Sequence, residues 1–270
     1  MTSRALQIES SGCPAPPHAL RAVDLAGLRL LSGEHEEVAD WLIARARGSS
    51  SVVVAHVNLN NYYELCHWSR GAGSRTPELE LIFDGIGLKL AARAFGQGWV
   101  RDVSGTDLFP LVMRRAAAER LRVFFLGSTS AVVHRAAEQT LREFPGVVLA
   151  GVQDGYFSRE TVDSVVERVR LSQPDLLLIG MGCPRQEGFA LDYQRLLGAK
   201  LIWTIGGLFD FLSGAKPRAP RWMRRVRLEW LFRWLIEPRR MWRRNTVPPV
   251  WLAWRVLRWR LRGSSVDSET

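Results

Sequence analysis

Short apolar, β-branched runs recur along this chain, and helical patterns stand between them. Ser51 to Val57 precedes Asn60 to Trp68, Leu121 to Leu126 precedes Ala131 to Phe144, and Val147 to Val152 precedes Arg159 to Leu171. Asp175 to Ile179 and Leu201 to Ile205 continue the series, with Gln186 to Leu197 between them. A strand that is apolar throughout must be buried on both faces, and the intervening helices supply the cover. The expected fold is α/β, a Rossmann-like, doubly wound parallel sheet with helices on both faces.

Charge divides the chain. Residues 216 to 262 carry fifteen Lys or Arg against two acids, Glu229 and Glu237, whereas residues 1 to 215 carry 22 against 23. The basic segment also holds seven of the eleven tryptophans. With 47% apolar residues in 270, the near-neutral part can bury one core. The expected organisation is a flexible N-terminus over 1–22, a Rossmann-like body over 23–215, a basic amphipathic helical appendage over 216–262, and a flexible C-terminus over 263–270. Pro14, Pro16 and Pro17 make the start a poor helix, and it lacks the basic-then-apolar pattern of a signal peptide. No apolar run is long enough to span a bilayer, since Leu201 to Leu212 is broken by Gly206, Gly207 and Asp210.

Cys13, Cys66 and Cys183 form no C-x-x-C pair, which suits a reducing compartment. The five histidines show no H-x-x-x-H spacing and there is no D-x-D triplet, so neither a metal site nor a cofactor is expected.

In doubly wound sheets the chemistry gathers in the loops that follow the strands. Here those loops are Asp84 to Gly87, Gly127 to Thr129, Asp154 to Phe157, Gly180 to Pro184 and Gly206-Gly207, each containing glycine. Glycine serves turn geometry in any such protein, but its recurrence at successive strand ends favours a ligand lying across that edge. The G-x-G-x-x-G and G-x-x-x-x-G-K-[ST] fingerprints are both missing. A nucleotide diphosphate can still be held where Gly127-Ser128-Thr129 opens a helix.

Several ordered strings resemble one family. They are Asp84-Gly85-Ile86-Gly87, Gly105-Thr106-Asp107-Leu108, Val123 to Gly127, Asp154-Gly155-Tyr156-Phe157, Gly182 to Glu187, Gly206 to Gly214, Arg218-Ala219-Pro220, Glu229 to Arg233 and Glu237 to Arg240. Over roughly residues 25 to 245 the chain resembles the WecG/TagA/CpsF glycosyltransferases (glycosyltransferase family 26). The resemblance implies metal-independent, inverting transfer of a sugar from a UDP donor to a polyprenyl-diphosphate-linked sugar in cell-envelope synthesis, at the inner face of a bacterial membrane. Family donors are UDP-N-acetylmannosamine, its uronate, or UDP-glucose, and the family's C-terminal appendage touches the membrane and helps complete the active site.

Residue by residue, the resemblance makes Asp84 the catalytic base, which an acceptor hydroxyl requires to become a competent nucleophile. An Asp-Gly turn is the plain alternative. Asn58, Gly127, Ser128, Tyr156, Gly182, Gln186 and Asp210 become donor-binding residues. Gln186 can both donate and accept at the nucleotide-sugar pocket, while Glu187 suits the helix start. Arg185 is either a phosphate ligand or a solvated first-turn side chain. Tyr156 is either a stacking face or a packed aromatic, and Asp210 either accepts from uracil or ribose or starts a helix. Two positions depart from the family pattern. His56 stands where a Thr precedes Asn58 by two, and Asp102 stands where an Arg precedes Gly105 by three.

In the tail, Trp222, Val226, Trp230, Leu231, Trp234 and Leu235 recur at helical spacing, with arginines around them. Pro238 is expected to end or kink that helix, and Pro248-Pro249 to separate a second one bearing Trp251, Trp254 and Leu261. Basic, Trp-rich amphipathic helices lie in the headgroup layer of anionic membranes. The resemblance also assigns Arg218, Arg225, Arg233 and Arg239 to the acceptor or to the diphosphate. Expected partners are a UDP-sugar, a polyprenyl-diphosphate-sugar and a membrane surface with anionic lipids, with no nucleic acid and with a homo-oligomer left open. The rival readings are a non-catalytic, nucleotide-sensing membrane adaptor on the same fold and an RNA-binding protein, whose complex salt alone would dissolve.

Overall fold

The computed structural model describes residues 20–25, 28–71, 79–97, 100–220, 222–223 and 229–263. Eight strands form one sheet: β1 (Arg21–Leu25), β2 (Leu28–Ser32), β3 (Val52–Val57), β4 (Leu79–Phe83), β5 (Arg122–Gly127), β6 (Val148–Gln153), β7 (Leu176–Gly180) and β8 (Leu201–Thr204). Their order is β1-β2-β4-β3-β8-β7-β5-β6. Strands β2 to β8 pair in parallel, and β1 is added antiparallel at one edge through the β1–β2 hairpin.

Side chains alternate across the sheet as a pleated strand demands. Val53, Ala55, Val57, Phe124, Leu126, Leu177 and Ile179 enter one core, and Val54, Val123, Phe125, Leu176 and Leu178 enter the other. The second core is covered by α1 (His35–Arg47), α4 (Gly105–Ala118), α5 (Ser130–Glu143) and α8 (Leu208–Leu212). The first is covered by α2 (Leu59–Gly71), α3 (Ile86–Ala94), α6 (Val162–Leu171) and α7 (Arg185–Leu197). The doubly wound fold read from the sequence is therefore present, with β1, β2 and helices α1, α3 and α4 added to the elements foreseen, and with β4 as the strand that the Asp84 loop implied.

The appendage contributes α9 (Glu229–Ile236) and α10 (Pro238–Gly263). Pro238 does open a new helix, but Pro248 and Pro249 lie inside α10 and do not divide it, contrary to expectation. Each proline removes an N–H donor and crowds the carbonyl one turn back, and packing of α10 on α2 outweighs that local preference for a break. Buried Met241 and Leu252 and the neighbouring α2 hold α10 in place. None of the described helices is long and apolar enough to cross a membrane.

Candidate functional site

The parallel register brings the loops after β4, β3, β8, β7, β5 and β6 to one edge of the sheet, in that order. Val57 pairs with Phe83, so Asn58 and Asp84 leave neighbouring strand ends, and the Asp84 N–H donates to the Val57 carbonyl at 3.0 Å. Asp84 is half-buried at the head of α3, and Gly85 turns the chain there with φ of +89°. Asn58 caps the start of α2, its Oδ1 accepting from the Asn61 N–H at 3.1 Å. That bond satisfies one orphan helix donor and fixes the Asn58 side chain beside the Asp84 loop.

On the other half of the edge, Gly127 has φ of +140°, and a Cβ there would sit 2.4 Å from the Gly180 carbonyl oxygen. Only glycine fits this approach of β5 to β7. The next residue, Ser128, lies in the left-handed region with φ of +52°. Its N–H donates to Gly180 O at 2.9 Å, its carbonyl accepts from the Gly155 N–H at 2.9 Å, and its hydroxyl donates to Asp210 Oδ1 at 3.4 Å. Asp210 is also paired through Oδ2 with Lys216 Nζ at 2.9 Å, and the same ammonium reaches Glu237 Oε1 at 3.0 Å. The sequence reading of Asp210 did not include this bridge, because nothing in the local pattern joins Asp210 and Lys216 to Glu237, just past α9.

Gln186 is 1% exposed. Its Oε1 accepts from the N–H groups of both Gly182 and Gly206, at 3.1 Å each, and its Nε2 donates to Glu187 Oε1 at 2.7 Å. Its polar atoms thus brace the post-β7 and post-β8 loops. Glu187 is equally buried and also accepts from Thr204 Oγ1 at 3.0 Å. Burial holds its carboxyl above the usual range. The Gln186–Glu187–Thr204 chain was invisible in sequence beyond the helix-start acid, since Thr204 comes from another strand. Arg185 donates to the Gly155 carbonyl at 3.0 Å, and Tyr156 stands exposed at the rim.

Both departures from the family pattern have physical surroundings. Asp102 pairs with Lys89 of α3 at 3.7 Å, and both side chains are largely covered. His56 is a buried strand residue whose ring lies 5.5 Å from that of Trp203 and packs on Gly105. Burial lowers its pKa from 6.5 to about 4. Between those values the unfolded chain binds a proton that the folded chain refuses, so stability is complete above pH 6.5 and falls as pH drops toward 4. His56 is expected to contribute a loss of about 3 kcal/mol over that window, opposed by the raised Glu187 carboxyl, and the pH slope of urea unfolding in His56→Thr relative to the native protein should isolate it.

Of the four arginines expected at the diphosphate, Arg218 pairs with Asp107 in the first turn of α4, and Arg233 stacks over Phe211 with Cζ 4.7 Å from the ring centroid. Arg239 is exposed on the first turn of α10, and Arg225 lies outside the described residues. Among the described residues, no group of three or more His, Cys, Asp or Glu side chains gathers as a metal site would. The edge therefore joins a half-buried carboxylate, two braced glycine loops and a basic appendage tied to the body through Asp210, Asp107 and Phe211.

A model of the WecG/TagA/CpsF family of glycosyl transferases matches residues 23–266. The chain is similar to the N-acetylglucosaminyldiphosphoundecaprenol N-acetyl-beta-D-mannosaminyltransferase of Bacillus spizizenii, at 35% identity over 164 residues, 61% of this chain and 63% of that protein. Proteins of the same name from Bacillus subtilis and Staphylococcus aureus are 31% and 30% identical over 168 residues, 62% of this chain and 65% of each relative. The similarity thus spans less than two thirds of the length of these relatives.

Proposed function

Because the chain belongs to the WecG/TagA/CpsF family of glycosyl transferases, we propose that it transfers a sugar from a UDP-sugar to a polyprenyl-diphosphate-linked sugar, with inversion. The carrying observation is the meeting of Asp84, the Ser128–Asp210 contact and the Gln186-braced loops at one sheet edge, where ligands of such sheets bind. Asp84 accepts the proton of the acceptor hydroxyl as its oxygen bonds to the anomeric carbon. The bond from that carbon to UDP breaks on the opposite face, and UDP departs with the electron pair. Asn58, Gly127, Ser128, Tyr156, Gly182, Gln186 and Asp210 shape the donor side, either by contact or by holding the loops. Arg218, Arg225, Arg233 and Arg239 stabilise the diphosphate charge, and no metal ion is required.

The relatives' names make N-acetylmannosamine the first donor sugar to try, with its uronate and glucose next. The exposed Trp222, Leu235, Trp242 and Leu257 of the appendage, set among arginines, fit a peripheral position on an anionic membrane, at its cytoplasmic face. The test is a panel of UDP-sugars with N-acetylglucosaminyl-diphospho-polyprenol. Transfer from one donor is expected, and UDP binding without turnover of any donor would favour the adaptor reading instead.

A further inference from the structure

We propose that the open groove between α2 and α10 receives the first isoprenoid units of the lipid acceptor, an assignment that rests on the glycosyl-transfer reading above. The groove measures about 510 Å³ and is lined by Tyr63, Thr246, Val247, Val250, Trp251 and Trp254. Its size lies within the range of small-ligand sites, and the only polar side-chain atoms among its lining groups are the Tyr63 and Thr246 hydroxyls and the indole nitrogens. Thr246 directs its hydroxyl to the Trp242 carbonyl at 2.8 Å.

Position makes the groove a continuation of the catalytic edge. Helix α2 starts immediately after Asn58, so Tyr63 stands about 8 Å along its axis from the post-β3 loop. Along α10 positive charge stands on both sides of the apolar lining, with Arg255 and Arg258 after it and a cluster of three arginines before it. Arg239, Arg243 and Arg244 come first, and α2 itself meets the post-β7 loop, where Cys183 Sγ lies 4.0 Å from the Asn61 carbonyl. The apolar lining follows within the next turns, and exposed Leu257 lies farther along, past the last lining residue. An anionic head at the arginines that open α10, beside the post-β3 end of α2, places its tail in the groove.

The wall is built in advance. Trp251 meets Tyr63 edge-on with ring centroids 5.3 Å apart and lies 5.4 Å from His67, while Arg255 stacks over Trp251 at 5.2 Å. Arg258 likewise covers Trp254 at 4.5 Å. These stacked cations leave the groove floor apolar while keeping positive charge at its rim, which favours a tail attached to a diphosphate over an uncharged chain.

The test uses the full-length protein without vesicles or detergent, and N-acetylglucosaminyl-diphosphate acceptors esterified with either farnesyl or methyl. The farnesyl acceptor is expected to be used better in kcat/KM by on the order of tenfold or more, chiefly through KM. Val250→Asp should bring the ratio close to one, whereas Leu257→Asp, on the same helix beyond the groove, should keep it. In parallel, farnesyl diphosphate should change tryptophan emission in the native protein and much less in Trp254→Phe. Equal use of both acceptors, a ratio untouched by Val250→Asp, or an emission change caused by phospholipid vesicles but not by farnesyl diphosphate would overturn the assignment. If the native protein turns over neither acceptor with any donor, the glycosyl-transfer reading fails, and the emission titration alone then decides the groove. Concentration-dependent dimerisation that Val250→Asp abolishes would give the groove to a second copy of the chain and likewise overturn the proposal.

Discussion

Asp84→Asn is expected to lower transfer by about 10²- to 10⁴-fold while leaving UDP binding close to native. The substitution keeps the size of the side chain and its place after β4, and the backbone N–H to Val57 is unaffected. What it removes is the capacity to accept a proton from the acceptor hydroxyl, which an amide oxygen cannot do at neutral pH. Rates should fall mainly in kcat, since a base acts on the bond-making step and contributes little to ground-state affinity. Single-turnover measurement with saturating donor and acceptor isolates that step. Equal turnover by the variant would remove Asp84 from the role and return it to the structural reading of an Asp-Gly turn.

The second large effect concerns the appendage. Ending the chain at Ala215 is expected to lower kcat/KM by about 10²-fold or more, even with a soluble acceptor that needs no membrane. The truncation strips away Arg218 and Arg233, which meet Asp107 and Phe211, and Lys216, which bridges Asp210 to Glu237. It also uncovers Tyr62, whose ring lies 5.8 Å from that of Trp251, so circular dichroism should accompany the assay to show that the sheet persists. Lys216→Ala in the full-length chain separates chemistry from bulk. Here the appendage stays attached through its other contacts, and a rate loss with unchanged unfolding would trace to the Asp210 end of the bridge. Full activity in the truncated protein would reduce the appendage to an anchor.

The parallel body was legible because β3, β5, β7 and β8 are apolar on both faces and announce themselves as runs. The strands that were missed explain themselves in the same terms. β1 reads exposed, exposed, buried, exposed, buried as befits an edge, and β4, implied only by the post-strand loop at Asp84, has Glu80 interrupting its apolar run. The arrangement at the sheet edge was legible to the extent that glycines mark strand ends, with Asp84 and Ser128 in the loops that follow β4 and β5 and Gln186 and Asp210 in the first turns of α7 and α8. It was illegible where partners come from distant segments. Lys89 with Asp102, Thr204 with Glu187, and Lys216 with Glu237 are meetings across segments that no local period encodes. The helix that runs through Pro248-Pro249 was misread for a related reason, because packing against α2 outweighs the local preference for a break.

The buried Gln186 amide carries a thermodynamic consequence. By taking the N–H groups of Gly182 and Gly206 on one oxygen, it orders two glycine-bearing loops during folding. Glycine has the most backbone freedom to lose, and in a loop left loose that loss would be charged against every binding event. Here it falls on the folding equilibrium once, so a donor meets an edge already shaped and keeps more of its contact energy as affinity. The same two amides are spent in doing so and are not free to bind a phosphate.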